Sequence, residues 1–191
     1  MARIVILVGH ARKETYGEAL AESYACGARL AGHEVQLFVL SKLAFDPILH
    51  EGFSRPQPLE PDLEKVHGAL VAADHLVIVF PLWMGNMPAI LNGFIERIFQ
   101  PEYCEAERRK QSFPQPLKGK SGLIVMTMGM PALAYRCWYG PHALRILRNF
   151  VLWHIGVHPT RVQLIGRVEA IGHRGRSHWL NRMEELGRRA A

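Results

Sequence analysis

An apolar strand that runs directly into a loop of aromatic, glycine and amide residues carries the most legible chemistry in this chain. The segment is Asp74-His-Leu-Val-Ile-Val-Phe-Pro-Leu-Trp-Met-Gly-Asn-Met-Pro88. Pro81, Trp83, Gly85 and Asn86 fall between the strand and a helix that begins at about Pro88, where a first-turn proline loses nothing because its missing N–H is not needed. Trp83 offers a flat aromatic wall, and Gly85 frees backbone N–H groups. A planar, hydrogen-bonding, mostly apolar ligand needs those features, and a flavin ring fits them better than a sugar, a metal ion or a nucleic acid. The competing reading is a proline-bearing strand exit whose Trp83 belongs to the core.

A second loop, His10-Ala-Arg-Lys-Glu-Thr-Tyr-Gly-Glu18, opens a helix. Helix N-termini bind phosphate through unpaired N–H groups and the positive end of the dipole. His10, Arg12 and Lys13 add charge, Thr15 a hydroxyl and Tyr16 a backbone N–H. An ordinary turn with a threonine N-cap is the alternative. A third loop, Met128 to Pro141, is punctuated by glycine and proline.

The elements that must position these loops alternate along the chain. Ile4–Val8 reads as a buried parallel strand, followed by a helix that stops at Gly32 and a second strand over Val35–Leu40. Ser41–Pro61 is long, proline-rich and aperiodic. Leu63, Val66, Leu70 and Val71 mark a helix, Leu76–Phe80 a third strand, and Ile90 to Phe99 a helix behind Pro88. A charged, proline-bearing connection, Pro101–Pro116, leads to a fourth strand at Gly122–Thr127. Ala143–Ile155 is helical, Thr160–Ile165 is a fifth strand, and a basic helix closes the chain. Five strands alternating with five helices imply an α/β fold with a parallel sheet covered on both faces. Ligands in such sheets bind at the carboxyl ends of strands. That rule selects the loops after strands one, three and four.

The chain has 191 residues, enough for one sizeable domain, and no window long and apolar enough to span a bilayer. Its first apolar run is followed by turn and helix signals, so it reads as a strand and not a signal peptide. Cys26, Cys104 and Cys137 are odd in number and lack metal-ligand spacing, which points to reduced thiols, no bound metal and a cytoplasmic location. The net charge of +6 is concentrated late, in Arg161, Arg167, Arg174, Arg176, Arg182, Arg188 and Arg189. These alternate with Trp179, Leu180, Met183 and Leu186 at helical spacing, which describes an amphipathic helix with a solvated basic face and no nucleic-acid partner.

Phe80-Pro-Leu-Trp-Met-Gly-Asn-Met-Pro-Ala-Ile-Leu-Asn-Gly-Phe-Ile-Glu-Arg-Ile-Phe99 is close to F-P-L-W-W-x-x-x-P-A-x-L-K-G-x-x-D-R-V-F. With Gly9-His10, Thr15-Tyr16, Ala19-Leu20, Phe45-Asp46-Pro47 and Thr127-x-Gly129, nearly the whole chain resembles the flavodoxin-like NAD(P)H:quinone oxidoreductases. That group includes the DT-diaphorase type, the "modulator of drug activity" reductases and the ancillary flavoproteins of potassium-efflux systems. The resemblance implies one flavodoxin-like domain over residues 1–191, a three-layer sandwich with strand order 2-1-3-4-5. It also implies FMN, with FAD as the alternative, and NADPH or NADH as donor. The cofactor set it implies is His10, Arg12, Thr15, Tyr16 and Gly17 from the first loop, and Pro81, Leu82, Trp83, Met84 and Gly85 from the second. Thr127, Met128, Gly129, Met130 and Tyr135 complete it. Gly17 stands where the family has Asn, Met84 where many relatives have Trp, and Met128 and Met130 replace Thr and Gly of T-T-G-G.

By the same resemblance Tyr135 places its hydroxyl near the reacting carbon and the quinone oxygen. The histidine that long members carry six residues later is Pro141 here, with His142 beside it. His142 is therefore a catalytic candidate, a cap or surface group being its other role. The implied reaction is a two-step hydride exchange from NAD(P)H through flavin N5 to a quinone, protonated by Tyr135 or solvent. The implied assembly is a homodimer with its pocket at the two-fold interface, which Phe99, Tyr103, Cys137, Trp138 and Tyr139 suit. A flavodoxin-type electron carrier, and a regulatory subunit on a membrane transporter, are the alternatives.

Overall fold

The period-two alternation of side chains along a strand explains how an unbroken apolar run becomes doubly buried. Ile4, Ile6 and Val8 join one core with Leu20, Tyr24, Val77, Val79, Val125, Met183 and Leu186. Val5 and Leu7 join the opposite core with Leu63, Leu70, Ile78, Phe80, Leu91, Phe94, Ile98, Ile124 and Leu147. The chain, seen in a computed structural model, is described over residues 1–110, 112 and 115–190, without the side chains of residues 103 and 106–108. Strands β1 (Arg3–Val8), β2 (Glu34–Val39), β3 (His75–Pro81), β4 (Lys120–Thr127) and β5 (Val157–Ile165) form one parallel sheet in the order β2-β1-β3-β4-β5. This is the sheet and the order that the sequence leads one to expect.

Helices α1 (Tyr16–Leu30) and α6 (Gly172–Arg188) cover one face. A Cβ on Gly27 would stand 2.0 Å from Glu184 O, and one on Gly187 2.0 Å from Tyr24 O, so these two glycines let the helix backbones touch reciprocally. Helices α2 (Pro61–Ala72) and α3 (Ala89–Arg108) pack on the other face. A short α4 (Ala132–Ala134) widens into a π-helical turn at Tyr135–Tyr139, and α5 (His142–Arg145) into a longer one at Ile146–Leu152. No helix among the described residues is long and apolar enough to cross a membrane.

Several expectations need correcting. Leu40 opens a one-turn 3₁₀ helix, Leu40–Lys42, and does not end the second strand. The connection expected at Pro101–Pro116 is helical to Arg108, because α3 continues through Pro101 at the cost of one backbone bond. His67 Nε2 and Glu102 Oε1, 2.8 Å apart, hold that extension against α2. Residues 111, 113 and 114 of the connection lie outside the described residues. The third loop is not irregular throughout but contains α4 and its π-turn. Phe99 is 5% exposed and belongs to the core, so it offers nothing to a partner, and the side chain of Tyr103 lies outside the description.

The aperiodic segment after β2 is held from the inside. Arg97 of α3 is fully buried. It donates to Asp46 O (2.6 Å), Pro58 O (2.8 Å) and both carboxylate oxygens of Glu60 (3.1 and 3.0 Å). One guanidinium thus takes the place of the regular backbone bonds that this stretch lacks.

Candidate functional site

The sheet register sets the carboxyl ends of β1, β3 and β4 side by side: Val8 pairs with Val79, and Pro81 with Thr127. Main-chain bonds continue the pairing into the loops. Gly9 N–H donates to Val79 O at 2.8 Å, and Leu82 N–H to Thr127 O at 2.7 Å.

In the middle loop Trp83 and Asn86 exchange both backbone hydrogen bonds, at 2.9 Å each, around Met84 and Gly85. Met84 has φ 50° and Gly85 φ 80°, which makes this a type I′ turn. Gly85 adopts that conformation freely, whereas a side chain there costs roughly 1 kcal/mol, as it does at Met84. The turn consumes the N–H groups of Trp83 and Asn86 and leaves those of Met84 and Gly85 outside its own bonds. Asn86 Oδ1 accepts from Met87 N–H at 2.8 Å, which fixes the amide. Trp83 is 41% exposed and Met84 wholly so, while Pro81 and Leu82 are half-buried beneath them. The result is two backbone donors beside an indole face.

The first loop meets this wall directly. The rings of His10 and Trp83 are 4.8 Å apart, edge to face at 79°. His10 Nδ1 accepts from Arg12 N–H at 2.9 Å. Burial, and then the Arg12 charge, hold the imidazole pKa below its usual value. His10 therefore enters as a neutral ring, not as the added charge expected from the sequence. Thr15 caps α1, its hydroxyl accepting from Glu18 N–H at 3.3 Å, which leaves the N–H groups of Tyr16 and Gly17 at the open helix end. Glu18 would oppose an anion there, but Lys42 pairs with its carboxylate, and that hydrogen bond is the main reason the Glu18 pKa is lowered. The end is thus electrostatically fit for phosphate, with exposed Arg12 and Lys13 nearby in sequence. The side chain of Tyr16 runs away from it to α6, donating to Arg176 O at 3.2 Å.

The third loop is pinned from the β5 side. Met128 N–H donates to Ile165 O, Met128 O accepts from Val168 N–H, and Met130 O accepts from Arg167 N–H. Met128 is 3% exposed and Thr127 is buried too, so of this set only Gly129 presents an exposed backbone. Tyr135 is 2% exposed, and its hydroxyl accepts from Leu144 N–H at 3.3 Å, inside α5. Burial raises its pKa, against the pull of the Leu144 and Ala143 amides. His142 is exposed, with its ring against Gly140.

The structure therefore unites the first and middle loops through side chains, and the middle and third through backbone. It puts Tyr135 under the surface and His142 on it. The sequence reading passed over Lys42 and Glu18, although threonine followed three residues later by glutamate is a recognisable capping pattern. Lys42 had no signal, because its role depends on where β2 ends.

The sequence model of the family described as having a flavodoxin-like fold matches residues 2–186, and the chain belongs to that family. It is similar to an uncharacterized NAD(P)H oxidoreductase of Haemophilus influenzae, 24% identical over 180 residues that cover 92% of this chain and 89% of that one. It is 25% identical over 175 residues to NAD(P)H dehydrogenase (quinone) 1 of Cavia porcellus, covering 81% of this chain and 62% of the longer relative. Its fold matches the NAD(P)H:quinone oxidoreductase from Methanothermobacter marburgensis with a TM-score of 0.81 and 20% identity, over 98% and 96% of the two chains.

Proposed function

We propose that the chain is a cytoplasmic, single-domain flavin-dependent NAD(P)H:quinone oxidoreductase. The observation that carries this reading is the Trp83–Asn86 turn, whose Met84 and Gly85 amides stand beside an indole that His10 ties to the open N-terminus of α1. A ring with hydrogen-bonding edges suits the turn, and a phosphate suits the helix end. A bound flavin would supply hydride transfer through its N5 between NADPH or NADH and a quinone, with one slot serving donor and acceptor in turn.

The protein's residues position and screen. Trp83 and His10 would wall the ring, Met84 and Gly85 would offer their amides to its polar edge, and Thr15, Tyr16 and Gly17 would hold the phosphate end. Thr127 O braces Leu82 so that the middle loop keeps its place. Tyr135 is the acid in this reading: a phenol carries its proton at neutral pH, and burial raises its pKa further. FMN is favoured over FAD as the smaller group that the open helix end requires. A homodimer is supported by exposed Trp138 and Tyr139.

The test is to release the yellow chromophore, weigh it, and follow NADPH oxidation with a soluble quinone. Parallel-line initial rates and a released mass equal to FMN are expected. A preparation that stays colourless after incubation with FMN or FAD overturns the reading. A coloured protein without steady turnover moves it to an electron carrier or to a regulatory subunit on a transporter.

A further inference from the structure

A cavity of about 560 Å³ opens beside the edge strand β5, on the face covered by α5. Half-buried Leu144, Val162 and Leu164 form its apolar wall together with Leu133 and Pro141, and exposed Arg136, Arg145, Arg148 and Asn149 line the polar side. Among the described residues no hydrogen bond or ion pair engages the three cavity guanidiniums. The cause is in the sequence: no Asp or Glu occurs between Glu107 and Glu169. Arg145, Arg148 and Asn149 recur at spacings of three and four, so α5 and its π-turn present them together. Wide π-turns of this kind are frequent at functional sites.

We propose that this cavity binds one amphiphilic anion, a short apolar body ending in a carboxylate, sulfate or phosphate. Its size lies within the range of small-molecule sites, roughly 300–1,000 Å³. The apolar wall gives a bare inorganic ion nothing, and three like charges disfavour neutral or cationic amphiphiles. The third loop supplies Ala132, Leu133, Arg136 and Pro141 to the lining, but none of the residues given to the flavin lines the cavity, so the proposal does not rest on the flavin reading.

Calorimetric titration of the purified chain, with whatever flavin it carries, tests the site with octanoate, octyl sulfate, 1-octanol and octylammonium. Octanoate and octyl sulfate bind one equivalent and leave the flavin spectrum unchanged. Octanol binds at least about tenfold more weakly, and octylammonium does not bind, because a charge-assisted hydrogen bond is worth about a factor of ten or more. Arg145→Ala with Arg148→Ala, at exposed positions that keep the melting temperature, lowers octanoate affinity by about tenfold per guanidinium. Equal binding of octanol and octanoate, several equivalents untouched by the double variant, or displacement of flavin each overturns the proposal. So does capture of phosphatidylglycerol vesicles without octanoate binding, which would make this face a membrane surface.

Discussion

The imidazole of His10 stands edge-on to the indole of Trp83, centroids 4.8 Å apart, and joins the loops after β1 and β3. Two loops that share a wall move together, so loss of either ring loosens both the ring end and the phosphate end of the proposed flavin site. Trp83→Ala is expected to weaken flavin binding by about tenfold, and Trp83→Phe by less, since an aromatic contact is worth about 0.5–1.5 kcal/mol beyond its area. His10→Ala has a smaller effect that is not additive with Trp83→Ala. Quenching of flavin fluorescence gives the dissociation constants. Strict additivity in the double variant would show that the ring contact couples nothing.

Tyr135 and His142 are separated by burial as much as by sequence. The phenol is bonded to the Leu144 amide, and the imidazole is exposed. Tyr135→Phe is expected to slow the acceptor half-reaction by about tenfold, a modest loss for a general acid because solvent can substitute. It leaves flavin reduction by NADPH unchanged. His142→Ala changes neither step by more than about twofold. Stopped-flow measurement of the two half-reactions separates these outcomes. Equal slowing of both by Tyr135→Phe would mean that the residue only holds α5 in place.

The sheet was legible because its strands are runs of Ile, Val and Leu between turn signals, and a run such as Ile4–Val8 has one physical destiny. The loops at the strand ends were legible because Pro81 and Gly85 are turn residues, while Trp83 sets an exposed indole where a turn alone needs none. What escaped was set by tertiary context. Pro101 reads as a stop in sequence, yet packing carries α3 past it. Tyr135 reads as a site residue by resemblance, and only the fold shows its hydroxyl bonded to the Leu144 amide. Arg97 sits in a helical apolar pattern where a cation looks solvated, and only the fold shows three carbonyl and carboxylate partners closing over it.

That buried guanidinium predicts a large stability effect. Arg97→Ala leaves Asp46 O and Pro58 O without a donor and the Glu60 carboxylate without its counter-charge. Breaking one side of such a pair costs about 3–5 kcal/mol. Arg97→Lys keeps the charge but not the fork and recovers only part of that loss. Urea unfolding, with proteolysis of residues 41–60 as a local readout, is the measurement. A loss below about 1 kcal/mol would contradict the role given to Arg97.

His67 makes stability depend on pH in one direction. Its hydrogen bond to Glu102, opposed by burial and aided by the Glu102 charge, raises its pKa above 6.5. The folded chain therefore holds a proton that the unfolded chain has begun to release. The contribution is complete below 6.5 and fades as pH climbs through the raised value. His67→Gln should cost about 1 kcal/mol at pH 5.5 and clearly less at pH 9. A cost that does not change with pH would assign the contact to packing alone.

His75 works in the opposite sense, at the start of β3. It is 3% exposed, its Nδ1 lies 2.7 Å from Ser121 Oγ, and its Nε2 is buried without a partner. Burial, and then the charges of Arg161 and His33, push its pKa down to about 4. Between the unfolded value near 6.5 and this folded value the unfolded chain binds a proton that the folded chain refuses. Falling pH therefore draws stability away, by about 2 kcal/mol at pH 5 relative to pH 8. His75→Leu removes that term but leaves Ser121 Oγ without its partner, so the variant is less stable than the parent at pH 8. The deficit shrinks or reverses at pH 5, and the difference between the two pH values isolates the proton from the lost hydrogen bond. Parallel urea curves for parent and variant, with a constant gap at both pH values, would mean that His75 takes up its proton in the folded chain after all.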